Sequence, residues 1–322
     1  MKRNEQLLQV IADRPDAPEP RQVYADWWQE QNDPRGEFVA TSILLASGPN
    51  PMRRKQLLAK KAVLERTHLT SWTEELTKAG ASSLRFDRGF VAELTLPEDN
   101  LGALPSLMAL EPITNLVTFL PRGTELAKTM QAECFDRLEH LSVSGALDKW
   151  AAAVSKPKVA RLAGLTCVGG GLSGDGLRSL LAQDFKALRR LSLSGSEIGD
   201  DGLAAFDDCE WSVDTLFLAR SGVTDEGVAA FLASDFSMGL RHLSLRGNEL
   251  TDEAFELLFE GEHDGLQRLE LSENELSDEL LVRFADPEVL PGLKRLDLSR
   301  LDVSGATRKK LSARFGDAVK WG

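Results

Sequence analysis

The 322-residue sequence predicts an α/β solenoid, with parallel strands stacked inside and helices outside, preceded by a small all-helical unit. Two observations predict the solenoid, and a third sets off the front end. The phrase leucine-x-x-leucine-x-leucine recurs at 188–193, 240–245, 266–271 and 293–298, with a weaker copy at 213–218. Its central leucines, Leu165, Leu191, Leu216, Leu243, Leu269 and Leu296, lie 26, 25, 27, 26 and 27 residues apart, the period of stacked supersecondary units. Residues 1–80 lack the phrase altogether.

Each repeat divides into two patterns. Around Leu243 and Leu245 the apolar positions alternate with period two, which predicts a short strand with both leucines facing inward. Ala254, Phe255, Leu258 and Phe259 then follow at helical spacing. Asp252 is expected to cap that helix, as are Asp225 and Asp278 at the same place in their repeats. Asn248 and Asn274 stand where the chain leaves the strand, and an asparagine amide can serve both donors and acceptors stranded at such a turn. A single unit cannot bury its own leucines, so neighbours must stack into a continuous core.

These features resemble the leucine-rich repeat family, and the helix-bearing outer side is similar to its ribonuclease-inhibitor subtype. The resemblance implies a horseshoe with strands on the concave face and helices on the convex face. It is clear from about Leu138 onward, and fainter copies at 113–119 and 91–96 extend it upstream to about eight strands before the terminal segment. The segment 315–321 breaks the repeat and is expected to cover the open end, with Trp321 shielding the core.

The front end reads as helices at 5–12 and 21–31, separated by a proline-rich break at 15–20. Asn32 suits a left-handed helix end. Asp33 and Pro34 then restart the helix as N-cap and first-turn proline. A charged helix is expected over 52–68, with one or two further turns at Trp72 and Leu76. Residues 24–38, YADWWQEQNDPRGEF, resemble the signature of the bacterial repeat-companion domain, which typically precedes leucine-rich repeats. Trp28 and the pair Gln31-Asn32 depart from its usual leucine and Arg-Gly while keeping an apolar helix face and a left-handed cap. That resemblance implies architecture and no chemistry. The expected division is a helical domain at 1–80, transition and capping repeats at 81–136, and the solenoid with its C-terminal cap at 137–322.

A net charge of −12 argues against general nucleic-acid binding. The first 80 residues hold 12 of the 38 Lys/Arg and 11 of the 50 Asp/Glu, so the repeats carry nearly all the negative charge. Cys134, Cys167 and Cys209 are scattered and odd in number, which suggests no disulfide framework. Neither a signal-peptide core nor a run of ~20 apolar residues is present, so no membrane association and a cytoplasmic location are expected.

Motifs for chemistry dissolve on inspection. The glycine run 169–174 matches G-x-G-x-x-G, but Leu172 falls in the register of Ile198, Val223, Leu250 and Leu276, so the repeat accounts for it. His140 and His242 share a column four strands apart, roughly 19 Å at ~4.8 Å per strand, too far to share a metal. Asp26 and Glu30 lie one helical turn apart, where capping or pairing with Arg35 is the expected role. The cationic run Arg53, Arg54, Lys55, Lys60, Lys61 and Arg66 reads as a solvated helix face. No enzyme, cofactor or metal site is expected.

The outward strand positions carry more information. The residue before each central leucine reads His140, Gly164, Arg190, Thr215, His242, Arg268 and Arg295, a basic stripe on an acidic solenoid. Phe217 is an outward aromatic near the middle, and Arg246 lies three positions beyond Leu243. Arg190, Phe217, His242, Arg246, Arg268 and Arg295 are therefore the expected partner-binding residues, suited to an acidic protein segment. The function expected is a non-catalytic scaffold or regulator; the alternatives are an inhibitor or antitoxin-like binder that occludes an enzyme, or a regulator of a small GTPase.

Overall fold

A computed structural model describes residues 3–260 and 263–321. The front end consists of α1 (Glu5–Asp13), α2 (Pro18–Glu30), α3 (Pro34–Ala46) and α4 (Pro51–Lys78). Helix α2 starts inside the expected proline break, because Pro18 occupies the first turn, where a missing N–H costs nothing. Asn32 takes the left-handed conformation at φ 57°. The Asp33 side chain accepts from the Arg35 N–H, and Pro34 opens α3. Helix α4 runs unbroken for 28 residues, joining the helix expected over 52–68 to the further turns expected at Trp72 and Leu76, since no glycine or proline interrupts the stretch around Leu69.

The remainder is a single sheet of eleven strands in sequence order. Strands β1 (Ser82–Asp87) and β2 (Phe90–Thr95) form an antiparallel hairpin, and every later pairing is parallel. The stack continues through β3 (Asn115–Leu120), β4 (His140–Gly145), β5 (Gly164–Val168), β6 (Arg190–Ser192), β7 (Thr215–Phe217), β8 (His242–Ser244), β9 (Arg268–Glu270), β10 (Arg295–Asp297) and β11 (Val319–Lys320). Nine repeat strands, β2 to β10, thus precede the terminal one, against about eight expected, and both faint upstream copies pair in register as β2 and β3.

The outer helices are α5 (Leu104–Met108), α6 (Thr124–Thr129), α7 (Leu147–Ala153), α8 (Gly174–Leu181), α9 (Gly199–Ala204), α10 (Asp225–Leu232), α11 (Asp235–Met238), α12 (Glu256–Glu260), α13 (Asp278–Arg283) and α14 (Gly305–Phe315). Between them and the sheet runs one continuous core from Leu76 to Val319, in which the ladder Leu165, Leu191, Leu216, Leu243, Leu269 and Leu296 is buried. At the C-terminal end β11 adds Val319 to that core, and Trp321 packs partly buried against it beneath Arg308.

Two polar ladders hold the repeats in register. Asn248 donates to the carbonyls of Leu218 and Leu245 and accepts from the Ser221 N–H; Asn274 repeats the pattern one rung on. The second ladder corrects an expectation. Thr224, Thr251 and Ser277 are the N-caps, and Asp225, Asp252 and Asp278 occupy the first helical position. From there each carboxylate reaches the next repeat: Asp225 accepts from the Thr251 N–H at 2.9 Å, Asp252 from Ser277 at 2.8 Å and Asp278 from Ser304 at 2.8 Å. The first turn favours an acid through the helix dipole, and the lateral reach adds a bond between neighbours.

Arg35, whose expected partners were Asp26 and Glu30, instead joins the front end to the repeats. Its guanidinium Nη2 donates to both carboxylate oxygens of Glu111, at 2.6 and 2.8 Å, with both side chains at most 2% exposed. Glu111 also accepts from the Val91 N–H, while Asp26 accepts from Gln22 within α2. Around this pair Phe90 packs between Tyr24 and Trp28, and Phe86 meets Phe38. Gly36 lets α3 press against α2, since a Cβ there would sit 2.5 Å from the Ala25 carbonyl oxygen. The motif residues Asp33, Pro34, Arg35, Gly36 and Phe38 thus serve a cap, a corner and a dock.

Candidate partner-binding surface

Short strands and one-residue register place equivalent side chains in columns across the concave face. In the column preceding the central leucines, Arg190, Thr215, His242, Arg268 and Arg295 align strand to strand. The column after those leucines aligns Ser192, Phe217, Ser244, Glu270 and Asp297. The charged half of the face therefore has a basic margin and an acidic midline.

The six expected residues divide by their surroundings. Phe217 is half-buried: the Arg190 guanidinium lies 4.1 Å from its ring centroid, and His242 meets it edge-on at 4.6 Å. His242 Nε2 lies 3.1 Å from Glu270, and Arg268 approaches the same carboxylate at 2.6 Å. The His242 hydrogen bond, helped by Ser244 and Arg268 against the cost of burial, holds the Glu270 carboxyl below its usual range. Arg246 pairs with Glu273 at the opposite margin. Arg295 is exposed and has no ionic partner among the described residues, and neither has Lys294, which precedes it.

At that opposite margin the chain leaves each of β4 to β10 through a left-handed residue. Gly145, Gly169, Gly195 and Gly247 fill four of these positions, but Arg220, Glu273 and Arg300 fill the others at φ 52°, 62° and 64°. A non-glycine residue there carries a steric cost, of order 1 kcal/mol or more. These three positions converge: Arg220 and Arg300, joined by Arg246 from β8's exit, all reach Glu273 at 2.5 Å. Hydrogen bonds from Arg246 and Arg220 pull the Glu273 carboxyl down to about 2. The cluster keeps a cationic excess at the sheet's exit edge, facing the basic entry margin across Glu270 and Asp297.

Sequence reading passed over several of these residues. Phe119, on β3, is 59% exposed and is the more open of the two outward aromatics. It aligns with Ser144 and with Val168, itself 49% exposed, giving β3–β5 an uncharged, partly apolar surface. Extending the repeat columns back to the faint copy at 113–119 would have revealed it. Arg220 and Arg300 were signalled by charged residues standing where neighbouring repeats use glycine.

Other candidate sites resolve into structure. Gly171 passes so close to the preceding turn that a Cβ would lie 2.6 Å from the Gly145 carbonyl oxygen, and Ser173 caps α8. Among the described residues no group of three or more His, Cys, Asp or Glu side chains is arranged to hold a metal ion. All three cysteines are free; burial pushes the Cys167 thiol up to about 12 and raises those of Cys134 and Cys209. Among the described residues no helix is long and apolar enough to cross a membrane.

The matching family model is the leucine-rich repeat, at residues 187–206 and 237–258. Similar solved structures include a chain of the yeast Rad7–Elc1 complex, 19% identical over 71% of each chain with a TM-score of 0.44. Another is a protein from Bacteroides fragilis, 18% identical over 64% of this chain and 70% of that one, with a TM-score of 0.40. No curated protein sequence matches. With its matched repeats and single-period stack of parallel strands, the protein carries the leucine-rich repeat fold, a solenoid with its helices on the convex side.

Proposed function

We propose that the protein is a non-catalytic binding module whose concave face, from β6 to β10, holds an acidic segment of a protein partner. One observation carries this reading: in a chain of net charge −12, exposed Arg190, Arg241, Arg268, Lys294 and Arg295 line one margin of the sheet, and Lys294 and Arg295 have no carboxylate partner among the described residues. Cations kept apart from the abundant acids of their own chain favour an anionic ligand by charge complementarity. Phe217 beneath Arg190 supplies a flat anchor beside them. The uncharged surface around Phe119 and Val168 offers the same partner an apolar continuation. In this reading residues 1–80 are a repeat-companion domain of a bacterial cytoplasmic protein, fixed to the solenoid by Arg35 and Glu111.

The test is a titration of the full chain with a fluorescent glutamate-rich peptide. Binding should weaken by about tenfold or more in Arg268→Glu with Arg295→Glu, and should fall as salt is raised. Affinity unchanged in that variant would remove the surface from consideration.

A further inference from the structure

We propose that the depression at the entry edge of β8–β10 seats a dianionic phosphate monoester, presented as a phosphorylated side chain within the acidic segment. The inference rests on the reading of the concave face given above and specifies its ligand chemistry. The depression, of about 320 Å³, is lined by Arg241, His242, Gln267, Arg268, Lys294 and Arg295, with no carboxylate in the lining. Four of those side chains are fixed cations. Arg268 has Glu270 at 2.6 Å, and Arg241 stands 3.8 Å from Asp214, whereas Lys294 and Arg295 have no carboxylate among the described residues. The seat therefore keeps an excess of about two positive charges. A phosphate monoester brings about −1.5 to −2 near neutral pH, against about −1 for a carboxylate.

The donor geometry agrees with the charge balance. Arg268 and Arg295 occupy paired positions on adjacent strands, ~4.8 Å apart along the stack. Lys294 precedes Arg295 on the same edge, and Arg241 precedes His242 one rung back. Two guanidinium forks, an ammonium and the Gln267 amide offer more N–H groups than the two oxygens of a carboxylate can accept. Guanidinium forks also match phosphate oxygens in pairs. A tetrahedral group with three terminal oxygens, standing over two rungs, uses these donors more fully.

The experiment titrates the full chain with phenyl phosphate, with its monoanionic counterpart phenyl sulfate, and with a short glutamate-rich peptide whose central serine is free or phosphorylated. Calorimetry gives the affinities, and amide NMR shifts locate them. Phosphorylation should strengthen peptide binding by about tenfold or more, and phenyl phosphate should exceed phenyl sulfate by a similar factor. Lys294→Ala with Arg295→Ala should cancel both gains in a protein whose thermal unfolding matches the wild type; both side chains are exposed and have no ion pair among the described residues. Equal affinity for the two peptides overturns the phosphate seat and leaves the acidic-segment reading intact. A gain that survives the double variant overturns the location. Phenyl phosphate binding as tightly as the phosphopeptide assigns the seat to a small phosphate ester and overturns the side-chain assignment. Failure of every probe to bind overturns the acidic-segment reading as well.

Discussion

Charge at single positions decides how this surface behaves, and Glu273 is the clearest case. Its carboxylate collects Arg220, Arg246 and Arg300 while its own backbone is left-handed. Arginine hydrogen bonds lower its pKa from 4.5 to about 2. Because the folded value is depressed, this contribution to stability is complete above the ordinary glutamate range and fades as pH falls from about 4.5 toward 2. NMR titration of the Glu273 carboxyl carbon should give a midpoint near 2; a midpoint near 4.5 would dismiss the cluster. Asn248 makes a second residue-scale prediction. Alanine there strands the Ser221 N–H and leaves the Leu218 carbonyl with only the Ser221 hydroxyl as side-chain donor, and should cost about 1–3 kcal/mol in chemical denaturation. The asparagine role was legible from composition and position, because few other side chains both donate and accept at a turn. The Arg220–Glu273–Arg300 cluster was not, because it depends on which side chains converge across rungs.

At the scale of elements, periodicity specified strands better than helix starts. Buried leucines at period two can only face the core, so the ladder followed from the sequence alone. The acids at the helix starts were misplaced by one residue, since Asp and Thr or Ser all cap well and only the lateral hydrogen bonds distinguish them. Asp252→Ala should therefore act between repeats. It deprives the Ser277 N–H and hydroxyl of their acceptor and should cost about 1–2 kcal/mol, with hydrogen exchange rising at the start of α13 and less within the helix begun by Asp252 itself. Exchange confined to the Asp252 helix would restore the simple capping role. At the α2–α3 corner, Gly36→Ala drives a methyl into the Ala25 carbonyl and should destabilise the front end by about 1–3 kcal/mol in thermal unfolding.

Across the whole molecule, the front end and the repeats are joined through the buried charge pair of Arg35 and Glu111, with peripheral hydrogen bonds from Arg137 to Gln9 and from Arg161 to the Ala12 carbonyl beside it. Breaking it leaves one charge buried and alone, so Arg35→Ala should cost about 3–5 kcal/mol and open residues 1–80 to limited proteolysis. Resistance equal to the wild type would mean that the aromatic contacts and the peripheral hydrogen bonds suffice. The sequence offered Asp26 and Glu30 as partners of Arg35 and missed Glu111, because a separation of 76 positions gives no local signal. The basic margin was legible as a column, while its seat at β8–β10 required knowing which cations their neighbours neutralise. The most direct test of the binding account is the affinity of the glutamate-rich peptide for wild type and for Arg268→Glu with Arg295→Glu, measured across a salt series. The account predicts a loss of about tenfold or more in the variant and a flatter salt dependence. Superimposable curves for the two proteins would contradict it.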